Sequence, residues 1–285
     1  MKKVFLLGLL ACLALIVALF GCSKANKNTE APPVFDTVSI NESYYLFGDT
    51  SMPACNIVID FNYPSQWNNR AEELKALQSL FVETNLGDKY KTLSPPEAAR
   101  AYQKQYIANF KEMEVDDAYK DYFDGDMLEY EDETGYETYI ILNNKILNNN
   151  KGFVSYLVEK TSYEGGAHSS LDVQGYVVKL NNCQLLDRDE FEGSNYRDFV
   201  SQLLARKIAR SNNLSDPKQL ENIGYTSLED IVPTDNFTLD GKGITYYYNE
   251  NDIAGAMMGV TEVFIPYDEI RIYLSADNPL IPLMK

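Results

Sequence analysis

The stretch FVSYLVEKTSYEGGAHSSLDVQGYVVKL, residues Phe153 to Leu180, consists of two runs rich in β-branched and aromatic side chains on either side of a glycine pair. Phe153 to Tyr163 and Leu171 to Leu180 read as adjacent antiparallel strands. Gly165-Gly166 supplies the positive φ angles that a tight connection between them needs. A third run, Tyr139 to Leu147, precedes these two, with NNNKG (Asn148 to Gly152) as the turn. The three together predict an antiparallel meander.

The same loop carries the only histidine of the chain, His168, followed by Ser169 and Ser170. That invites a catalytic reading, with the imidazole as base beside a serine. Sequence neighbours are poorly placed for this, however, and no G-x-S-x-G elbow occurs anywhere. A zinc site needs three or four ligands, and one histidine with a few scattered cysteines does not supply them. Neither a G-x-x-x-x-G-K-[ST] loop nor a G-x-G-x-x-G loop is present. No metal and no cofactor is therefore expected. With 42 Asp and Glu, a glycan hydrolase working through two carboxylates stays open as an alternative to a non-catalytic role. A passive accessory subunit of a larger surface complex is the third reading.

Upstream of the meander, IVIDFNYPSQW from Ile57 predicts a strand ending at Pro64. Leu74, Leu77 and Phe81 then recur at helical spacing, with Gly87 as the stop. Ser94, Pro95 and Glu97 combine an N-cap, a first-turn proline and a capping-box glutamate. They open a second helix, whose inner face is Ala99, Tyr102, Tyr106, Phe110 and Met113. Glu114 to Glu137 is acidic; Asp124, Gly125 and Asp126 hint at a calcium loop but lack EF-hand spacing, so a solvated charged face is expected. Downstream, Tyr196, Phe199, Val200, Leu203, Leu204 and Ile208 mark a third amphipathic helix. A strand pair turning at Asp240-Gly241 follows, and EVFIPYDEI closes the fold. Helices and strands are segregated, which predicts an α+β fold of two small subdomains, each an antiparallel sheet packed with one or two helices. The expected partition is 39–137 and 138–285.

The N-terminus begins with Lys2 and Lys3, continues through an apolar run from Val4 to Phe20, and reaches Gly21-Cys22. Residues 1–21 read as a lipoprotein signal peptide, and Cys22 as the lipidated first residue of the mature chain. Residues 22–38, polar and containing Pro32-Pro33, read as a flexible tether. The expected location is the bacterial cell envelope, lipid-anchored, with the outer membrane or cell surface favoured over the inner membrane. Losing the signal peptide also removes two lysines, making the chain still more acidic than its formal −17. Such a balance argues against nucleic acid and favours a basic partner. Cys55 and Cys183 would remain, either as a disulfide or as two isolated half-buried thiols.

Tyr163, Gly165, Gly166, Ala167 and His168, the acidic turn LLDRDEF, the helix after it, and ITYYYNENDIAGAMMGVTEVFIPYDEI occur in an order that resembles one family, the RsiV-like extracellular domains. These form the outer part of an anti-sigma factor that is a lysozyme receptor. Residues from about Ser39 to Glu137 look like the companion domain found there and in the peptidoglycan deacetylase PdaC. The resemblance reaches the outer module only and implies binding or sensing in the envelope. The implied partner is a basic protein such as a lysozyme, or peptidoglycan fragments. The implied contact residues are Tyr163, Gly165, Gly166, His168, Ser169, Pro266 and Tyr267. His168 is expected to hydrogen-bond within the fold or line a recognition cleft, not to transfer protons.

Overall fold

The structure, a computed structural model, describes residues 31–115 and 136–284. Cys22 and the Asp124-Gly125-Asp126 segment lie outside the described residues. The fold is α+β with two sheets. The larger has strands in the order β1 (Val34–Tyr45), β2 (Ala54–Gln66), β3 (Thr138–Asn150), β4 (Phe153–Tyr163), β5 (Ser170–Lys179) and β6 (Gln184–Leu185). The smaller is β7 (Phe237–Leu239), β8 (Gly243–Tyr248) and β9 (Thr261–Pro266).

The meander forms as expected, with β3–β4 and β4–β5 antiparallel. Its first turn is tighter than the sequence suggested. Asn148 to Asn150 stay in β3, and Lys151 and Gly152 alone make the corner, both at positive φ (52° and 88°). Two positive φ angles give the corner a twist that matches the flanking strands.

Helix α1 (Ala71–Leu86) stops at Gly87, which takes φ 107°. Helix α2 (Pro95–Lys111) starts with the expected capping box: the Glu97 carboxylate accepts from the Ser94 N–H at 3.2 Å and from its hydroxyl at 2.5 Å. Both helices connect β2 to β3, and this pair runs parallel, Cys55 opposite Thr138 through Asp60 opposite Asn143. A parallel pair requires such a crossover.

Three expectations about boundaries change. Strand β1 starts at Val34, inside the stretch read as tether. Its sequence alternates weakly, but pairing with β2 puts Val38, Ile40 and Tyr44 toward the core and sets the polar face in cross-strand hydrogen bonds. Thr37 Oγ1 donates to Asn62, Ser39 Oγ to Asp60, and Ser43 Oγ to Asn56. Pro64 does not end β2. It lies beyond Asp60, where β2 has left β3 and pairs only with β1, so only one of its sides calls for ladder donors. The step from β2 to β3 then crosses the expected boundary at 137/138 within one sheet, and Pro32–Lys285 is a single compact unit. The two subdomains therefore share the six-stranded sheet.

One face of that sheet carries α1 and α2. Ile57, Ile59, Phe61, Ile140, Leu142, Val154, Tyr156 and Val178 meet Leu77, Phe81, Val82, Ala98, Ala99 and Phe110. The opposite face, at β4 and β5, carries β7 and β8. There Leu157 and Val173 meet Tyr247, and Ser155 Oγ accepts the Leu239 N–H at 2.8 Å. Gly175 marks the closest approach, since a Cβ built on it would lie 2.6 Å from Phe237 O. The outer face of the small sheet (Phe237, Leu239, Ile244, Tyr246, Val263, Ile265) packs with Tyr196, Val200, Leu204 and Ile208 of α3 (Ser194–Ser211). The order of layers is α1/α2, six strands, three strands, α3.

Candidate functional site

Ser162 and Ser170 form the last pair of β4 and β5, their hydroxyls 3.1 Å apart. Beyond them Gly165 and Gly166 take φ 83° and 103°, as the sequence required. That path carries the carbonyl of Gly166 back to Tyr163, whose hydroxyl donates to it at 2.8 Å. The Tyr163 ring also stacks on Tyr139 of β3, centroids 5.7 Å apart. Glu164 is within electrostatic reach of Tyr102 and Tyr106 on α2, where burial, aided by neighbouring anionic groups, pushes both phenols up to about 12. Glu164 thus ties the loop electrostatically to Tyr102 and Tyr106, both neutral.

His168 and Ser169 are exposed and, among the described residues, make no side-chain hydrogen bond. Of the two expectations for His168, the hydrogen bond within the fold is not formed among the described residues; Tyr163 closes the loop instead. Among the described residues, no serine hydroxyl is hydrogen-bonded to the imidazole.

Pro266 and Tyr267 fall elsewhere. Pro266 pairs with Gly243 at one end of β8, whereas Asn249, just past the other end, donates to Asp172 near the GGAH loop. Six residue steps from Gly243 to Asn249, about 20 Å, separate the two groups. Tyr267 is 4% exposed, and its hydroxyl and amide donate to Asp240 O and Lys242 O at 3.0 Å each. It clamps the β7–β8 turn, where Asp240 Oδ1 also accepts the amides of Lys242 and Gly243. Its ring edge, with Phe264, Lys242, Asp268 and Leu283, borders an open hollow of about 490 Å³. The seven residues drawn together by resemblance therefore lie in two separate groups.

A third feature lies where the sequence analysis placed no site. In the acidic turn before α3, Arg188 Nε lies 3.3 Å from Glu192 Oε2 and 3.4 Å from Asp235 Oδ1, and Arg188 Nη1 donates to Pro233 O. Asp235 is 80% exposed, whereas the Glu192 side chain is only 6% exposed. Burial pushes Glu192 up to about 7, against the pull of Arg188 and Arg197. The i, i+4 spacing of Arg188 and Glu192 is visible in the sequence, but burial is not, because it depends on β7 and β8 closing over the turn.

Two carboxylates with such unequal environments are what an acid–base pair needs. Here the Arg188 guanidinium sits between them, where a scissile oxygen would have to lie, and Glu192 Oε1 is sealed from solvent. The arrangement fits a structural ion cluster. Among the described residues no group of three or more His, Cys, Asp or Glu could hold a metal ion. Cys55 and Cys183 are both free thiols, raised by burial, and no disulfide joins them. No helix among the described residues is long and apolar enough to cross a membrane.

The profile of a protein of unknown function, DUF3298, matches residues 188–268, which begin after the GGAH loop and include Arg188, Glu192 and Asp235. A solved structure of a DUF3298 family member from Bacteroides fragilis is similar at 31% identity and a TM-score of 0.79, over 91% of this chain and 99% of its own. A second, a DUF3298 family protein from Pseudomonas aeruginosa, shares the fold at 16% identity and a TM-score of 0.58, over 88% and 97% of the two chains. No curated protein matches. The chain belongs to the DUF3298 family.

Proposed function

We propose that this chain is a non-catalytic binding module of the bacterial cell envelope, held to the membrane through lipid on Cys22, that takes a basic protein of the lysozyme kind. The likeness of its C-terminal part to the RsiV-like extracellular domains, and of its N-terminal part to their companion domain, belongs to this proposal. The observation that carries it is charge: 42 acidic against 25 basic residues. Such an excess attracts a cationic protein over long range and repels anionic polymers. The tyrosines beneath the GGAH loop supply rigid, amphipathic contact area of the kind that anchors interfaces.

The test is surface-plasmon binding of the chain to a lysozyme over a salt series, run beside a peptidoglycan-hydrolysis assay. Association should slow as salt shortens the screening length from about 10 Å at 0.1 M to about 3 Å at 1 M. Tyr163→Ala should raise the dissociation rate more than His168→Ala does. Salt-independent association would remove the charge argument. Hydrolysis that disappears in His168→Ala would make the loop an active site.

A further inference from the structure

Glu192 is an unusual carboxylate for a surface turn. Its Oε1 is sealed from solvent and has no hydrogen-bond partner among the described residues, and the same holds for Arg188 Nε, which approaches Oε2 and Asp235 without the alignment of a hydrogen bond. Charged groups lie on every side: Arg188 and Asp189 from its own turn, Arg197 from α3, and Asp235 from the strap that enters β7. Tyr196 of α3 and Tyr246 and Tyr248 of β8 complete the surroundings, their hydroxyls held neutral by burial.

The strap is tied down around this group. Arg188 holds Pro233 O, Tyr248 donates to Val232 O at 2.7 Å, and Asn236 joins Gly175 N at 2.6 Å and Val173 O at 2.7 Å. Beside it lies a groove of about 370 Å³ walled by Asp187, Arg188, Asp235, Phe237, Tyr176 and Leu185. The turn and the strap therefore form two walls of the groove, and Glu192 lies at the root where they meet.

A neutral carboxyl can sit in this position with one oxygen unpaired at modest cost. An ionised one is held there less well: Arg188 faces only Oε2 and without the alignment of a hydrogen bond, so the buried anion, with no donor at Oε1, gains strongly from water. We propose that Glu192 is a proton-operated latch: when neutral it lets the 187–193 turn close on the 232–236 strap, and when ionised it drives them apart to admit water, widening the groove. Acid closes the latch and mild alkali loosens it. The device is independent of what the module binds.

The experiment follows the Glu192 carboxyl carbon by NMR in the full chain from pH 4 to 8.5, together with amide exchange at 187–193 and 232–236 corrected for intrinsic rates. Glu192 should titrate near neutrality, and protection in both segments should fall by about one to two orders of magnitude across that transition. Glu192→Gln, which keeps the shape of the neutral acid, should stay protected throughout. Asp235→Asn should retain the transition but move it to lower pH, since an anion near Glu192 is lost. Titration of Glu192 in the ordinary carboxylate range would overturn the latch, as would loss of protection in Glu192→Gln parallel to wild type. If Glu192→Gln does not fold, the wild-type titration and the direction of the Asp235→Asn shift decide.

Discussion

On one face of the six-stranded sheet Phe81 stacks on Tyr156 at 4.2 Å, with Phe35 against it at 5.6 Å, inside a layer of aliphatic side chains from two helices. On the other face the second sheet touches down through Ser155, Asn236, Asn249 and the bare backbone of Gly175. The first contact is broad and apolar, and its strength scales with buried area. The second is narrow: beside the small apolar cluster of Leu157, Val173 and Tyr247, it depends on polar side chains that satisfy backbone groups where the strands pass closest, at Gly175. Area tolerates small losses, whereas a pairing of this kind is present or absent.

The sharpest way to break this comparison is on the apolar side. Phe81→Ala should cost about 4 kcal/mol, since it removes a fully buried ring and its stacking partner cannot refill the space. Urea denaturation with unchanged slope measures it, and a loss below about 2 kcal/mol would mean that the helix layer collapses onto the gap.

Glu192 tests the polar side through pH. Its folded-state pKa is raised above the ordinary carboxylate value, so the folded chain holds a proton that the unfolded chain has released. The stabilisation is complete below about pH 4.5 and is lost as pH rises to about 7, up to about 3 kcal/mol. The difference in stability between wild type and Glu192→Gln should therefore vary with pH in that window and be flat above it. A difference independent of pH would remove Glu192 as a titrating group.

Asn236→Ala should cost about 2 kcal/mol, because it strands the buried Gly175 N–H and leaves Val173 C=O with Asn249 as its side-chain donor. Faster amide exchange at Gly175, with α1 and α2 unaffected, would sharpen the separation between the two contacts. Equal exchange throughout both layers would blur it. The smallest effect should be Ser94→Ala, about 1 kcal/mol from the lost helix cap, and an unchanged midpoint would show that Pro95 and Glu97 suffice to start α2.

Of the candidate site, the loop between β4 and β5 was legible, because a glycine pair between two strands has one conformational use. That His168 is exposed with no side-chain hydrogen bond among the described residues, and that Tyr267 is a buried clamp at the far end of β8, were not. Exposure of a loop residue depends on what packs near it, and resemblance orders residues along the chain without placing them in space.

What the sequence alone determined is local: the start of α2 at Ser94, Pro95 and Glu97, the stop of α1 at Gly87, the inner faces of α1, α2 and α3, and the meander. These follow from periodicity and from backbone preferences that act within a few residues. Tertiary structure decided the pairing of β1 with β2, the parallel contact of β2 with β3, the crossing of the sheets at Gly175 and the burial of Glu192. Each joins segments far apart in the chain, and for each the governing quantity is an environment. A weakly alternating strand becomes a strand when it finds an edge, and an ordinary glutamate becomes a near-neutral acid when another layer closes over it.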